Sequence, residues 1–284
     1  MTPPTPPTLS IVMPVLNEAA GLRATLQALA PFTARGAELI VADGGSTDAS
    51  VALAHAGGAL VVLSPRSRAL QLNAGAQQAR GGVLLFLHAD TVLPAHADLL
   101  ITRALAHGPA LWGRFDVLIE GRSPLLRVVA ALMNWRSRWT GIATGDQAMF
   151  MTREARIYSA WRAITCIGRS AALVFLQISR YLLQKPPCIP SRSKCRASTR
   201  INPRFPRDAF DAAGGFPAQP LMEDIEMSKR LRRVSRPACL RDRVLTSGRR
   251  WEARGVWRTV LLMWRLRLAY WCGSAPESLA ERYR

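Results

Sequence analysis

The sequence predicts an α/β fold: a mostly parallel, Rossmann-like sheet that continues into a mixed second half. Three observations carry this. Leu9 to Asp48 reads as strand, helix and parallel strand, the βαβ unit. The apolar runs Leu60 to Leu63 and Val83 to Leu87 repeat the buried-strand signal after further helical segments. The carboxyl ends of these runs carry Asn17, Glu18, Asp43, Gly44, Gly45, His88 and Asp90, and open parallel sheets bind ligands at those ends.

Taken in order, Ser10 to Val15 is short and β-rich, with Pro14 closing it. Ala19 to Ala30 places Leu22, Leu26 and Leu29 at helical spacing. Leu39-Ile40-Val41 is a buried strand ending at Asp43, whose carboxylate can accept hydrogen bonds from a ribose or base; the glycines after it allow close backbone approach. Ala49 to Ala56 is helical, Gly57-Gly58 breaks it, and Leu60 to Leu63 is expected to be a third buried strand. Pro65 to Arg68 is a basic loop before a helix at Ala69 to Gln78; Arg68 is either a phosphate ligand or a solvated side chain. Val83 to Leu87 is the most hydrophobic strand and runs into His88-Ala89-Asp90, a polar cluster that is costly to bury unless it binds something.

A helix near Asp98 to Ala106, a strand at Ala110 to Val117 and an apolar helix at Pro124 to Met133 follow. Asn134 to Trp139 interleaves arginine with tryptophan, which suits a nucleic acid, a saccharide or a lipid phosphate. Thr144-Gly145-Asp146-Gln147 precedes the apolar run Ala148 to Met151. Gly214 to Pro217 is a turn, and Met222 to Leu231 opens a helix with Glu223 and Asp224 in its first turn, where carboxylates favour the positive end of the helix. A short basic link leads to Val244 to Glu252. Gly255 to Trp271 reads as a helix that is apolar nearly all round, interrupted by Arg258, Arg265 and Arg267: either a membrane-interface helix or a core helix with snorkelling arginines.

Composition sets limits. At 284 residues and 49% hydrophobic content the chain can bury a sizeable core and is not mostly disordered. The five cysteines show no metal-ligand spacing, so free thiols in a reducing cytoplasm are expected. No run of 18 or more uninterrupted apolar residues exists, so no spanning helix is expected, and residues 1–8 read as a disordered Pro/Thr tail without a signal-peptide core. Of the net charge of +19, +11 sits in residues 155–207, which hold no acid. That segment is expected to be a partly disordered insertion, with a basic helix at Ile157 to Leu183 and disorder from Lys185 to Arg204. MTREA (151–155) and PRDAFDAAGGFP (206–217) look like two copies of one helix start around it.

The pattern P-x-x-N-E at Pro14 to Glu18, then D-G-G-S-T-D at Asp43 to Asp48, then Asp90, G-D-Q at Gly145 to Gln147 and E-D at Glu223-Asp224 resembles family 2 glycosyltransferases of the GT-A fold, hexosyltransferase type. WGRFDV, MNWRSRWTGIATGDQAMF, GGFPAQPLMEDIEMSKRL and SGRRWE through LLMWRLRLAYW are further similar to a bacterial subfamily described as arsenosugar-biosynthesis-type or radical-SAM/selenodomain-associated glycosyltransferases. The resemblance implies one GT-A-like domain, with a donor half at 9–154 and an acceptor and catalytic half at 208–284 ending in an amphipathic helix. It implies metal-dependent, inverting transfer of a sugar from a nucleotide-sugar to an acceptor hydroxyl.

Under that resemblance, Asp224 is the base and Glu223 supports the acceptor. Pro14, Asn17, Glu18, Asp43, Arg68, Asp146, Gln147 and Arg250 hold the donor. Asp90 binds Mg²⁺ or Mn²⁺, while His88 stands where relatives carry a first acidic residue and is expected to pack or hydrogen-bond near the site. Gly145 and Trp251 meet the acceptor, with Arg249 and Arg250 also suited to clamp the diphosphate. The acceptor is a small molecule or lipid-linked, and an anionic membrane surface at the inner face is a candidate partner; nucleic acid is not expected. The rival readings are a sugar nucleotidyltransferase, and a basic nucleic-acid- or membrane-binding protein disabled by the insertion.

Overall fold

The computed structural model describes residues 8–106, 109–153 and 209–283. The expectations for 155–207, and those for residues 1–7, lie outside them.

Among the described residues eight strands form one sheet, and the elements follow the chain as β1 (Leu9–Val15), α1 (Ala19–Ala34), β2 (Glu38–Asp43), α2 (Ser50–Ala56), β3 (Leu60–Leu63), α3 (Arg68–Gln78) and β4 (Val83–Phe86). Then come β5 (Thr91–Val92), α4 (Ala97–Ala106), β6 (Trp112–Glu120), α5 (Leu125–Thr140), a 3₁₀ turn (Gly145–Gln147) and β7 (Phe150–Thr152). The chain closes with α6 (Ala209–Ala212), α7 (Glu223–Val234), β8 (Ala238–Ser247), α8 (Arg249–Arg254), α9 (Val256–Trp271) and α10 (Pro276–Tyr283). The strand order is β3-β2-β1-β4-β7-β6-β8-β5. β3, β2, β1 and β4 are parallel; β7 runs antiparallel to β4 and β6; β6 and β8 are parallel, and β5 joins β8 antiparallel. The expected mostly parallel half passing into a mixed half is therefore the observed architecture.

Strand alternation splits the core between the two faces of the sheet. Ile11, Met13 and Val15 of β1 join Leu22, Leu26, Leu29 and Phe32 of α1 and Ile101 of α4 on one face. Val12, with Ile40 and Leu84 of the neighbouring strands, joins Ala69, Leu72 and Ala76 of α3 and Met227 and Leu231 of α7 on the other. α3 lies so close to β1 that a Cβ on Gly75 would collide with Val12, so a smooth helix surface is required there.

Four local expectations are corrected. β3 is the sheet edge, not a buried strand, and Leu63 is 75% exposed. Asn134 to Trp139 is no separate basic-aromatic stretch but the last turns of α5, because the apolar spacing Leu126, Ala130, Met133 continues the buried face through it. The basic link before Val244 is the first half of β8, held by its pairing with β6. Met151 and Thr152 belong to β7 rather than to a helix start.

Candidate active site

The loop after β1 and the loop after β2 are braced to each other. Asn17 adopts φ +54°, and its Oδ1 accepts from the Thr47 backbone N–H (2.8 Å). The backbone N–H groups of Asn17, Glu18 and Ala19 donate to Ser46 Oγ (2.9 Å), Ser50 Oγ (2.9 Å) and Asp48 Oδ2 (3.0 Å). Asp43 is buried, and its carboxylate accepts from the N–H groups of Gly45 and Ser46 (2.9 Å each) and from Ser46 Oγ. From beneath, Gln71 Nε2 of α3 donates to the carbonyls of Val15 (2.8 Å) and Ala42 (2.9 Å), tying the ends of β1 and β2 together. Pro14 is part of β1, paired with Ala42.

Glu18 stays half-buried beside this frame. Burial first, and then the charge of Asp90, raise its carboxyl above the ordinary value, with Arg249 and Arg250 opposing. Asp90, just past β4, makes only a 3.5 Å contact from Thr91 Oγ1 among the described residues. Two carboxylates that disfavour each other's charge suit a divalent cation, which takes hard oxygen ligands. Among the described residues no group of three His, Cys, Asp or Glu side chains could hold a metal by itself, so further ligands would have to come from a bound substrate.

Across the cleft, Glu223 and Asp224 open α7. The residue before them, Met222, is in the left-handed region at φ +65°. Asp224 Oδ2 accepts from the backbone N–H of Gly145 (2.8 Å), and Oδ1 from that of Ile225 (2.7 Å). Glu223 Oε1 accepts from Arg68 Nη1 (3.1 Å). Burial, then the neighbouring Asp224, raise the Glu223 carboxyl. Burial alone would lower Arg68, but Glu223, Asp224 and Asp146 outweigh it and hold its pKa above normal. His88 Nδ1 lies 3.4 Å from Asp146 Oδ1. Burial would raise Asp146, yet the hydrogen bond and charge of His88, with Arg68 and Arg250, bring it below the ordinary carboxylate range. The charge of Arg250 thus reaches both Glu18 and Asp146, so these two carboxylates share one electrostatic neighbourhood.

A cleft lined by Arg68, His88, Gly145, Glu223 and Asp224, with an apolar floor of Leu72, Phe86, Met149 and Phe216, is the result. Among the described residues, the three non-glycine positive-φ positions, Asn17, Ala148 and Met222, all flank its motifs. Strained backbone of this kind persists where the surroundings over-determine it.

Not every expected contact reaches the cleft. Gln147 is fully buried and caps its own turn: its Oε1 accepts from the Thr144 N–H (3.1 Å), while Nε2 contacts Asn134 Oδ1 (3.4 Å). Trp251 packs against the main core cluster. Arg250 Nη1 donates to the Tyr283 hydroxyl (3.1 Å) on α10. Arg136, read from the sequence as part of a basic-aromatic stretch, and Arg267, read as an interruption of an apolar helix, are not assigned to the site by that reading but do approach it: Asp224 opposes the loss of charge that burial imposes on both.

Comparison with known proteins places these residues in context. The model of the family described as glycosyl transferase family 2 matches residues 10–153. No curated protein sequence matches the chain. Among solved structures, a mannosyltransferase, PcManGT from Pyrobaculum calidifontis in complex with GDP-Man and Mn²⁺, is similar over 98% of this chain and 69% of its own, at 16% identity and a TM-score of 0.56. Glucosyl-3-phosphoglycerate synthase from Mycobacterium tuberculosis, in complex with Mn²⁺, UDP and glucosyl-3-phosphoglycerate, is 21% identical over 51% of this chain and 57% of its own, with a TM-score of 0.39. TarS from S. aureus in complex with UDP is 18% identical over 41% of this chain and 37% of its own, with a TM-score of 0.37. The chain thus spans less than two thirds of the last two, and the likeness to the mannosyltransferase speaks to fold alone.

Proposed function

The chain belongs to glycosyl transferase family 2, and on that premise we propose that it moves a sugar from a nucleotide-sugar donor to an acceptor hydroxyl with inversion. The observation that carries this is the meeting of Asp224, Glu223, Gly145 and His88 in one cleft, facing the Glu18–Asp90 pair at the carboxyl ends of β1 and β4. Inverting transfer needs one base at the acceptor hydroxyl, on the side opposite the departing diphosphate. Asp224 fills that part: both its oxygens are oriented by backbone N–H groups, so the carboxylate is fixed while keeping lone pairs for a proton. Glu223, tied to Arg68, orients the acceptor side. The Asn17–Glu18 and Asp43 loops receive the nucleoside, Asp146 shapes the sugar pocket, and Gly145 borders it.

Asp90, with Glu18 near it, would hold Mg²⁺ or Mn²⁺. Such an ion neutralises the diphosphate leaving group when bound. The ligands in the mannosyltransferase complex, GDP-Man and Mn²⁺, accord with this donor and metal class. The motifs that resemble the bacterial arsenosugar-type subfamily support membership there.

No helix among the described residues is long and apolar enough to cross a membrane. We assign the membrane surface instead to two helix faces. Trp257, Leu261, Trp264, Leu268 and Trp271 on α9 follow helical spacing and are 60–82% exposed, whereas only Thr259 and Leu266 of that helix are buried. Val128, Leu132, Trp135 and Trp139 make a matching stripe on α5, with Trp135 and Trp139 stacked 5.7 Å apart. Tryptophan with arginine on an amphipathic helix suits an anionic lipid interface.

Titration of UDP-, GDP- and dTDP-sugars with and without Mn²⁺ tests the enzyme reading. Metal-dependent binding of one donor, followed by release of free nucleoside diphosphate on turnover, is the expected result. Pyrophosphate as the product would instead establish a nucleotidyltransferase.

A further inference from the structure

Arg136 and Arg267 stand out when the charges around the cleft are paired off. Asp116 is engaged by Arg114 and Arg138. Glu223 is engaged by Arg68, Asp146 by His88, and Glu226 by Lys229 and Arg230. Both oxygens of Asp224 already accept backbone hydrogen bonds. For Arg136 Nε and Nη2 and for Arg267 Nε, which are shut off from solvent, there is no acceptor among the described residues.

These two side chains come from α5 and α9, helices that pack against each other. The apolar residues Ile225, Leu262, Met263 and Leu266 hold α9 against the start of α7, which carries Asp224. Each guanidinium feels Asp224, and Arg136 also feels Arg267. Burial first, and then the like charge of Arg267, push Arg136 down to about 10. A guanidinium nitrogen shut off from solvent without an acceptor is costly, and the like charge of a second arginine adds to that cost. Their planar forks match the oxygens of a phosphate bidentately. The cost of the arrangement is relieved when such an anion arrives.

We propose that Arg136 and Arg267 together bind a phosphate group carried by the acceptor, anchoring it so that the acceptor hydroxyl lies at Asp224. The proposal rests on the glycosyltransferase reading above and names the substrate class of its open side. The donor side has its own groups: Glu18, Asp43 and Asp90 lie at the ends of β1, β2 and β4, while this pair belongs to helices of the other half of the sheet. The phosphate is either on a soluble molecule or on a lipid brought in along the exposed tryptophan stripes of the same two helices.

The test uses the full chain with Mn²⁺ and a saturating nucleoside diphosphate, so that the donor phosphate positions are filled. Inorganic phosphate is then titrated calorimetrically into wild type and the Arg136→Gln/Arg267→Gln variant. Phosphate binding that weakens tenfold or more in the variant, with nucleotide affinity within twofold of wild type, is expected. Unchanged phosphate binding would overturn the proposal, as would a parallel loss of nucleotide affinity, which would assign the pair to the donor. Arg136→Lys, which keeps the charge but not the fork, is expected to weaken phosphate as well and guards against misfolding of the double variant. Short-chain dihexanoyl phosphatidic acid, below its micelle concentration, identifies the source: tighter binding than inorganic phosphate, lost in the variant, supports a lipid-borne phosphate, and equal binding supports a soluble one. Wild type that binds phosphate but no nucleotide would sink the glycosyltransferase reading separately.

Discussion

Asp224 accepts a 2.8 Å hydrogen bond from the backbone N–H of Gly145, which lies 79 positions earlier in the chain. One bond therefore links the G-D-Q turn to the first turn of α7, and the orientation of the proposed base depends on a backbone group rather than on another side chain. Asp224→Asn keeps an oxygen able to accept this bond. The variant is expected to fold and bind donor normally, while transfer falls by about 10²–10⁴-fold, the range for loss of a general base. Steady-state transfer assays beside donor titrations check both halves; near-normal turnover would remove Asp224 from the chemistry.

Gly145→Ala is expected to be harsher than its size suggests. A Cβ there would meet the His88 ring, which is paired to Asp146 and has little freedom to retreat. Overpacking of this kind costs about 1–3 kcal/mol. Thermal unfolding should show that loss, and kcat should fall with it because Asp224 loses its alignment; a variant with unchanged kcat would show that the Gly145 contact is dispensable.

Asp90→Ala is expected to abolish the Mn²⁺ dependence of nucleotide binding without lowering thermal stability. Asp90 makes one long side-chain contact among the described residues, so its removal breaks little. Calorimetry with and without Mn²⁺ reads this directly.

Glu38 supplies a pH-dependent check of the fold. Its buried carboxylate accepts from Ser10 Oγ (2.7 Å), the Arg80 N–H (2.8 Å) and Arg80 Nε (2.8 Å). Burial pushes its pKa up, but these bonds prevail and bring it below the usual 4.5. A depressed carboxyl contributes stability that is present above the unfolded value and is lost as pH falls through the folded one. Glu38→Gln is expected to cost about 1–2 kcal/mol at pH 7, chiefly through a buried donor left facing an amide N–H, since the exposed Arg80 side chain is screened by solvent. The difference from wild type should shrink below pH 4.5. Urea unfolding across pH 3–8 measures it, and a pH-independent difference would contradict the assignment.

Trp264→Ser with Trp271→Ser removes exposed apolar surface from α9. Binding to vesicles containing anionic lipid is expected to weaken tenfold or more, with donor affinity unchanged. Sedimentation with vesicles tests it, and equal vesicle binding would shift the contact elsewhere.

The donor half was legible because its strands are buried on both faces. Ile11 to Val15, Leu39 to Ala42 and Val83 to Leu87 are apolar runs that end abruptly in polar residues, and those ends supply one side of the candidate site. β8 escaped notice because Arg241, Asp242 and Arg243 interrupt it; only pairing with β6 makes it a strand. β3 misled for the opposite reason, since Leu60 to Leu63 is apolar yet lies at an edge. The motif residues Asp224, Glu223 and Gly145 could be named from order along the chain. Arg136 and Arg267 could not, because what sets them apart from the many other arginines is the lack of a partner, which exists only in three dimensions.

The bracing between the loops after β1 and β2 has a thermodynamic consequence. Asn17, Ser46, Asp48 and Ser50 tie the two loops together, and Gln71 fastens both strands from below. A ligand settling on that wall has little loop entropy left to remove, so less of its contact energy is lost to ordering the protein. The opposite wall, where α7 is tied to the G-D-Q turn by few bonds, is then the side on which selectivity for the second substrate can be altered without loosening the first.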